Sequence, residues 1–208
     1  MTCRCEPVEM VPYSAFQDQV RLSIPAAPAD VIDFAVRNAV IEMVKESLQM
    51  QRDIYVDVQE CVCDYEICIP GMVLHAVREV HFHRRELHPI TSPTPYVYSG
   101  QYYHEPEKGI LIGDQPGYDS EGALYVRAVV HPSRDSCEVD RWVYERHADA
   151  VAEGALSRLF GMKDMSWFDR AEAGVAMRRF KTAKNRMKGE QAKHRISGPT
   201  FMSARRFV

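Results

Sequence analysis

Residues 147–168 read HADAVAEGALSRLFGMKDMSWF, and a long basic segment with helical character follows them. Small residues recur in the first half of this stretch at three- and four-residue spacing, which predicts a helix with one narrow face. They are Ala148, Ala152 and Ala155. Gly154 inside that helix costs about 1 kcal/mol relative to alanine, so another segment is expected to pack close to its backbone. The stretch therefore predicts a tight pair of helices, over residues 139–160 and 167–189, joined by a short turn near Trp167.

Upstream of this pair the sequence predicts one more long helix and then a β-rich middle. Asp30 is a good N-cap, and apolar residues follow it at helical spacing, so a helix is expected over residues 30–50. Apolar and polar residues then alternate in short runs separated by turn residues, with no intervening helix, which indicates an antiparallel β-module over residues 53–131. The predicted fold class is α+β, a three-helix layer with the β-module inserted after its first helix.

The two ends of the chain are expected to lie outside this single domain, which spans residues 30–189. Four prolines within residues 1–29 exclude a continuous helix there, so that segment is predicted to be irregular. Gly189 and a later glycine–proline pair interrupt the helical pattern at the other end. An extended C-terminal arm is therefore expected over residues 190–208.

Charge is distributed unevenly along the chain, although the net charge of the 208 residues is only −3. Ten lysines and arginines but only one glutamate lie between Arg178 and Val208. The rest of the chain holds 16 basic and 28 acidic residues. This division predicts a basic C-terminal region that meets an acidic surface.

Composition also restricts the compartment in which the chain is expected to work. No segment approaches the roughly 18 uncharged apolar residues that a membrane span needs. The N-terminal residues are not followed by the apolar core of a secretory signal, so a soluble protein made inside a cell is expected. The six cysteines are accordingly predicted to be reduced thiols.

Two groups of residues were weighed as metal sites. Cys61 and Cys63 are one residue apart, whereas structural zinc usually takes pairs two to four residues apart, so they are predicted to be small buried side chains on one face of a strand. His81 and His83 are predicted to share a strand face too, and the neighbouring arginines would repel a cation. No metal or other cofactor is therefore predicted.

Catalytic signatures are missing from the sequence. It contains no glycine-rich phosphate loop, no His-Glu-x-x-His helix and no Gly-x-Ser-x-Gly elbow. The aromatic residues near the last two helices are predicted to form a core between them. The members of that set are Trp142, Trp167, Phe168 and Phe180. The protein is therefore predicted not to be an enzyme.

The basic C-terminal region has two interpretations. It could contact the phosphates of DNA in a salt-sensitive, sequence-independent way. It could instead dock on an acidic protein surface, and residues 196–208 favour docking because apolar anchors alternate there with basic residues. The docking residues predicted in this way are Arg195, Ile196, Phe201, Met202, Arg205, Arg206 and Phe207. Gly154, Ala155, Trp167 and Phe180 are predicted to serve helix packing instead.

The order of several short motifs resembles the head–tail adaptor, or connector, proteins of tailed bacteriophages. Residues 28–41 read Pro-Ala-Asp-Val-Ile-x-x-Ala-x-Arg-x-Ala-x-Ile, like the first helix of that family. The Gly-Ala-Leu helix, the Trp-Phe turn and a basic helix follow after the β-rich middle, so the resemblance covers roughly residues 25–208. One departure lies in residues 44–50, which keep Ser47 but lack the aromatic residue that usually continues the first helix.

The resemblance implies a structural protein of the phage neck. Members of the family form a homo-oligomeric ring, commonly a dodecamer, below the portal protein and above a tail, nozzle or tail-tube protein. The ring lines the DNA passage and so lies near viral DNA. Such a protein would be assembled in the host cytoplasm, would reside in the virion and would have no membrane partner. The alternative is a phage or bacterial DNA-binding or DNA-processing protein that uses the basic C-terminal region.

Overall fold

The computed structural model describes residues 3–5, 7–91, 96–106 and 108–195, and regular elements begin close to its N-terminal end. Strand β1 (Cys3–Cys5), strand β2 (Met10–Pro12), a 3-10 turn (Tyr13–Phe16) and helix α1 (Gln17–Arg21) occupy much of the segment that was expected to be irregular. That expectation was wrong because prolines exclude only a long helix: Pro7, Pro25 and Pro28 lie outside the short elements, and Pro12 is the last residue of β2. Apolar residues of this segment are buried in the core. They are Tyr13, Phe16, Val20 and Ile24.

Three long helices form the helical layer, as the sequence predicts. They are α2 (Ala29–Ser47), α3 (Arg141–Leu159) and α4 (Arg170–Arg195). The N-cap of α2 is Pro28 rather than Asp30, which lies in its first turn. Asp169 caps α4 through its carboxylate, which accepts hydrogen bonds from two backbone N–H groups at 2.8 and 3.0 Å.

Helix α4 continues six residues beyond its predicted end at residue 189. Gly189 lies within the helix, where an added Cβ would meet nothing within 4 Å. A glycine in a helix costs about 1 kcal/mol relative to alanine but does not forbid the helix, so it is a weak stop signal. Residues 190–195 are therefore helical and not part of an extended arm, and the remaining arm residues, 196–208, lie outside the described part of the chain.

The β-module contains a five-stranded and a four-stranded sheet. Its further strands are β3 (Gln51–Val58), β4 (Asp64–Glu66), β5 (Met72–Phe82), β6 (Arg85–Glu86), β7 (His88–Ile90), β8 (Gln101–Glu105), β9 (Gly109–Ile112) and β10 (Ser120–Pro132). The strand order is β1-β3-β10-β5-β6 in the main sheet and β4-β9-β8-β7 in the small one. Pairing is antiparallel except between β7 and β8, which run parallel and so depart from the prediction. A short strand β11 (Glu138–Asp140) pairs with β2 just before α3.

These elements give the α+β fold that the sequence predicts. The chain leaves the helical layer after α2, forms the β-module and returns at α3. Alternate residues of the main sheet, such as Ile54, Val56 and Val126, are fully buried on its inner face, where helix α2 contacts β10. The opposite face of β3, β5 and β10 remains open to solvent in part. No helix in the described ranges is both long and apolar enough to cross a membrane.

Candidate functional site

Close packing of the three helices is centred on Gly154. A Cβ atom at this position would lie 2.8 Å from Cβ of Ala39 on α2 and 2.9 Å from the ring of Phe180 on α4. Such distances are too short for two carbon atoms, so only glycine fits without a shift of its neighbours. Ala155 and Phe180 are both fully buried beside it. This is the close approach that the glycine predicts from sequence.

The turn between α3 and α4 is more exposed than the sequence suggests. Trp167 is half-buried, and its indole Nε1 has no hydrogen-bond partner among the described residues. Phe168 is 45% exposed, so its assignment to the aromatic core was wrong. Trp142 lies at the start of α3, where its Nε1 donates a hydrogen bond to Asp140 at 3.0 Å.

Much of the basic charge on α4 is neutralised within the molecule. The Lys184 ammonium group lies between the carboxylates of Glu42 and Glu46 on α2, and its side chain is only 5% exposed. Its Nζ is 2.6 Å from Glu46 and 4.8 Å from the centroid of the Phe180 ring. Lys188 donates to Glu46 as well, at 2.9 Å. We name this the helical ion cluster, and it ties α2 to α4.

The helical ion cluster changes the acid–base behaviour of its members. The hydrogen bond from Lys184 is the largest influence on Glu46 and lowers the pKa of its carboxyl below the ordinary value of 4.5. Burial opposes the charge on Lys184, but hydrogen bonds to Glu42 and Glu46 outweigh it and raise the pKa of the ammonium group. Both shifts favour the charged forms of Glu46 and Lys184 at neutral pH.

The outward-facing basic residues of α4 are also paired in part. Arg179 contacts Glu153 on α3 at 2.9 Å, and Arg186 contacts Glu190 at 3.1 Å. Exposed pairs of this kind are weak, so they leave the guanidinium groups available to a partner. Arg195 is the last residue of α4. The other predicted docking residues, from Ile196 to Phe207, lie outside the described residues.

The cysteines and histidines differ from their predicted placement. Cys61 lies in a turn, in the left-handed region at φ 61°, and is exposed, while Cys63 is half-buried and Cys68 exposed. They are therefore not a buried strand face as predicted, because β3 ends at Val58. His83 follows β5 in a turn at φ 47°, so it does not continue the strand face of His81. Within the described residues, no group of three His, Cys, Asp or Glu side chains could hold a metal ion.

The outer face of the main sheet carries a regular arrangement of polar and aromatic side chains that sequence reasoning missed. Two cross-strand rows run over β3, β10 and β5. One row is Tyr55, Tyr125 and His81, and the other is Asp53, Arg127 and Glu79. The alternation within each strand does reveal which residues face outward, but the register between distant strands cannot be read from it.

Hydrogen bonds connect the two rows. Arg127 Nε donates to Asp53 at 2.9 Å, and its NH1 donates to Glu79 at 3.1 Å. The Tyr125 hydroxyl also donates to Asp53 at 2.9 Å, and burial, followed by this contact, raises the pKa of Tyr125 to about 12. Arg127 lowers the pKa of the Asp53 carboxyl through its hydrogen bond. Both ion pairs therefore hold the Arg127 side chain in place above the Tyr125 ring.

Beside these rows the sheet face opens into a cleft of about 650 Å³, which we name the outer cleft. Aromatic rings make up much of its lining, with Tyr55 and His81 at 5.4 and 5.6 Å from the Tyr125 ring centroid. Carboxylates of Glu79 and Glu121 line it as well. Aromatic faces beside carboxylates are groups that can contact the side chain of a cation.

No protein-family model matches the chain, and no curated protein is significantly similar to it.

Proposed function

We propose that the protein is a structural adaptor that closes into a homo-oligomeric ring in the neck of a tailed bacteriophage. In this role it would join the portal protein to the tail and surround the DNA passage. The observation that carries the proposal is that large apolar side chains are exposed both on the helical layer and on the β-module. Leu22 and Phe34 are 86% and 56% exposed on the helical side, while Tyr96 and Tyr98 are 71% and 69% exposed on the β-module.

Two different surfaces are what a ring requires. In a cyclic assembly of more than two copies each contact is heterologous, so one face of a subunit meets a different face of the next. Large apolar side chains exposed in groups are typical of interaction sites. Exposed tyrosines are enriched among the residues that carry binding energy in interfaces.

The path of the chain also supports the proposal. A β-module that follows the first helix of a helical layer, with the last two helices after it, is the arrangement that the resemblance to connector proteins implies. The helical ion cluster and the close packing at Gly154 make the helical layer a firm support for the module. Function would then depend on packing and charge complementarity rather than on a catalytic site.

The basic C-terminal region completes the proposal. Residues from Arg195 to Phe207 would dock on the portal or on a neighbouring subunit. A DNA-binding protein remains the second candidate, but the burial of Lys184 and the pairing of Lys188 reduce the charge that α4 offers to phosphates. This intramolecular pairing favours the adaptor.

Sedimentation of the full chain over a range of concentrations, combined with binding of non-specific duplex DNA, tests the proposal. We expect one large species of defined mass and little DNA binding at moderate salt. A chain that stays monomeric and binds duplex with an affinity that falls steeply between about 50 and 200 mM salt would support the DNA-binding alternative instead.

A further inference from the structure

We propose that the outer cleft binds the basic C-terminal segment, residues 196–208, of a neighbouring copy of the same chain. The inference rests on the proposed ring, since it needs a neighbour, and it identifies the partner surface for the docking residues. The cleft is lined by Tyr55, His81, His83, Tyr125, Glu79 and Glu121, among others.

The sheet face already holds one guanidinium group in this way. The Arg127 Cζ atom lies 5.7 Å from the centroid of the Tyr125 ring, while Asp53 and Glu79 accept its hydrogen bonds. An aromatic face together with carboxylates is the environment that arginine side chains prefer, because the planar cation stacks on the ring and donates to the acids. Two of these groups, Glu79 and Tyr125, also line the outer cleft, together with Tyr55 and Glu121.

Acidic side chains outnumber arginines among the residues in and beside the cleft that are named below. Asp57 accepts a hydrogen bond from the backbone of Gly122, which lines the cleft, and Asp119 immediately precedes the lining residue Ser120. The acids are Asp53, Asp57, Glu79, Asp119 and Glu121, and the arginines are Arg4, Arg84 and Arg127. Arg4 meets Glu121 only in a pair whose side chains are 59% and 68% exposed. Such a pair is weak and can be exchanged for a better one.

Residues 196–208 carry the complementary chemistry. They contain Arg205 and Arg206 directly beside Phe207, a further phenylalanine at position 201 and no acidic residue. The arginines suit the carboxylates and rings of the cleft, and a phenylalanine suits its rim, where the Tyr118 ring lies 5.7 Å from that of His83. Tyr118 is 63% exposed, so it is available for such a contact.

The positions of α4 and the outer cleft favour binding of a segment from a neighbouring copy over binding of the chain's own segment. Gln49 donates a hydrogen bond to the carbonyl of Met187 at 2.8 Å, which places the last part of α4 on the helical side of the main sheet. The outer cleft opens on the opposite face. Thirteen extended residues reach at most about 45 Å, and the chain's own segment would have to pass around the sheet edge to reach this face. A segment from an adjacent subunit can approach the open face directly.

Binding of a fluorescent synthetic peptide of residues 193–208 to the full chain tests the inference. The receptor carries Arg205→Glu and Arg206→Glu, so that its own segment does not compete. We expect saturable binding that Glu121→Arg or Tyr118→Ala in the receptor weakens at least about tenfold, equivalent to about 1.4 kcal/mol. Glu138→Arg and Phe168→Ala, at exposed positions outside the cleft, serve as matched controls and should change the affinity less than about twofold.

Exchange of the charges between the peptide and the cleft tests whether binding depends on their direct contact. A peptide with Arg205→Glu and Arg206→Glu should bind the Glu121→Arg receptor better than it binds the receptor with Glu121. Absence of binding, or equal weakening by the cleft and control variants, would overturn the assignment of the cleft. If the unmodified chain still forms closed particles in that case, the proposed ring stands while this inference fails.

Mixing two variants of the full chain separates a neighbour from the chain's own segment. One variant carries Arg205→Glu and Arg206→Glu with an intact cleft, and the other carries Glu121→Arg with an intact segment. Each should associate poorly alone, whereas the mixture should form hetero-complexes through the one intact pair. A mixture that does not associate, although the peptide binds, would show that the segment occupies its own cleft and would contradict the proposed occupant.

Discussion

Two cations of this molecule are each held between two carboxylates, one inside the helical layer and one on the outer face of the main sheet. Lys184 is 5% exposed and lies between Glu42 and Glu46, whereas Arg127 is 41% exposed and lies between Asp53 and Glu79. The chemistry is similar but the surroundings are not. The ammonium group of Lys184 is buried, so its two ion pairs are part of the fold, because a charge that is shielded from water needs its partners. Exposure leaves the second group free to serve recognition.

The largest difference in stability between the two regions is expected when the cation of each one is replaced. Lys184→Met keeps the aliphatic length but removes the cation that Glu42 and Glu46 share, and we expect it to cost about 2–3 kcal/mol of unfolding free energy. Glu42 keeps its ion pair with Arg158, and Glu46 keeps its ion pair with Lys188. Water reaches both carboxylates, which are 33% and 40% exposed, and this keeps the cost below that of a fully buried pair. Arg127→Met is the matched variant and should cost less than about 1 kcal/mol. Urea unfolding of both variants measures the difference, and equal costs would contradict the comparison.

A smaller difference in stability is expected between a packed position and an exposed position of the helical layer. Ala155→Leu adds three carbon atoms beside Gly154, where no space exists, and should destabilise the protein by about 1–3 kcal/mol. Ala171→Leu makes the same change at an exposed position near the start of α4 and should shift stability by less than about 0.5 kcal/mol. Thermal unfolding of the two variants provides the measurement. If Ala155→Leu were as stable as the parent, the close approach of the three helices would be wrong.

Acid should weaken the helical ion cluster in a way that depends on Lys184. The pKa of Glu46 is lowered in the folded state, so its contribution to stability is present above about pH 4.5 and is lost as the pH falls through the folded-state pKa. We expect the unfolding free energy of the parent to fall with pH in this range more steeply than that of Lys184→Met. Parallel slopes for the two proteins would show that Glu46 does not depend on Lys184.

Titration at alkaline pH should detect the environment of Tyr125 on the outer face of the main sheet. Its pKa is raised to about 12, so the folded state holds the phenolic proton longer than an unfolded chain, whose tyrosines ionise near 10. The resulting stability is present below pH 10 and decreases as the pH rises toward 12. Ultraviolet titration of the parent and of Tyr125→Phe should differ by one tyrosine that ionises late. A difference that instead titrates near pH 10 would contradict the Tyr125–Asp53 hydrogen bond.

Deletion of residues 196–208 should have the smallest effect on the fold and a large effect on assembly. We expect an unchanged melting curve for the subunit, because the described residues already form a buried core that joins the sheets and the helices. Attachment to the portal or to a neighbouring subunit should be lost. Normal assembly by the shortened chain would remove the docking role of the C-terminal segment.

The sequence predicts the parts of this fold that depend on local periodicity. The three helices and the β-module follow from apolar spacing, and the close approach at Gly154 follows from a glycine inside a helix. The ends of elements are less predictable: Gly189 does not stop α4, and short strands form between the N-terminal prolines. Local sequence signals for the ends of elements are weak, and tertiary packing determines where each element begins and ends.

The candidate site is less accessible to sequence reasoning than the fold. Asp53, Glu79 and Arg127 come from three strands that are far apart in the chain, so only the register of the sheet brings them together. The partners of Lys184 on α2 are hidden for the same reason, and the basic run on α4 therefore looks freer in the sequence than it is. Charge patterns along a chain show what is available for pairing but not what is already paired.

Imaging of the assembled full chain is the most direct test of the adaptor account. The account predicts closed particles with a single rotational symmetry, commonly of twelve subunits, in which each subunit uses different surfaces toward its two neighbours. The particles should show an axial opening wide enough for duplex DNA. Isolated monomers, or two-fold dimers in which both copies use the same surface, would contradict it.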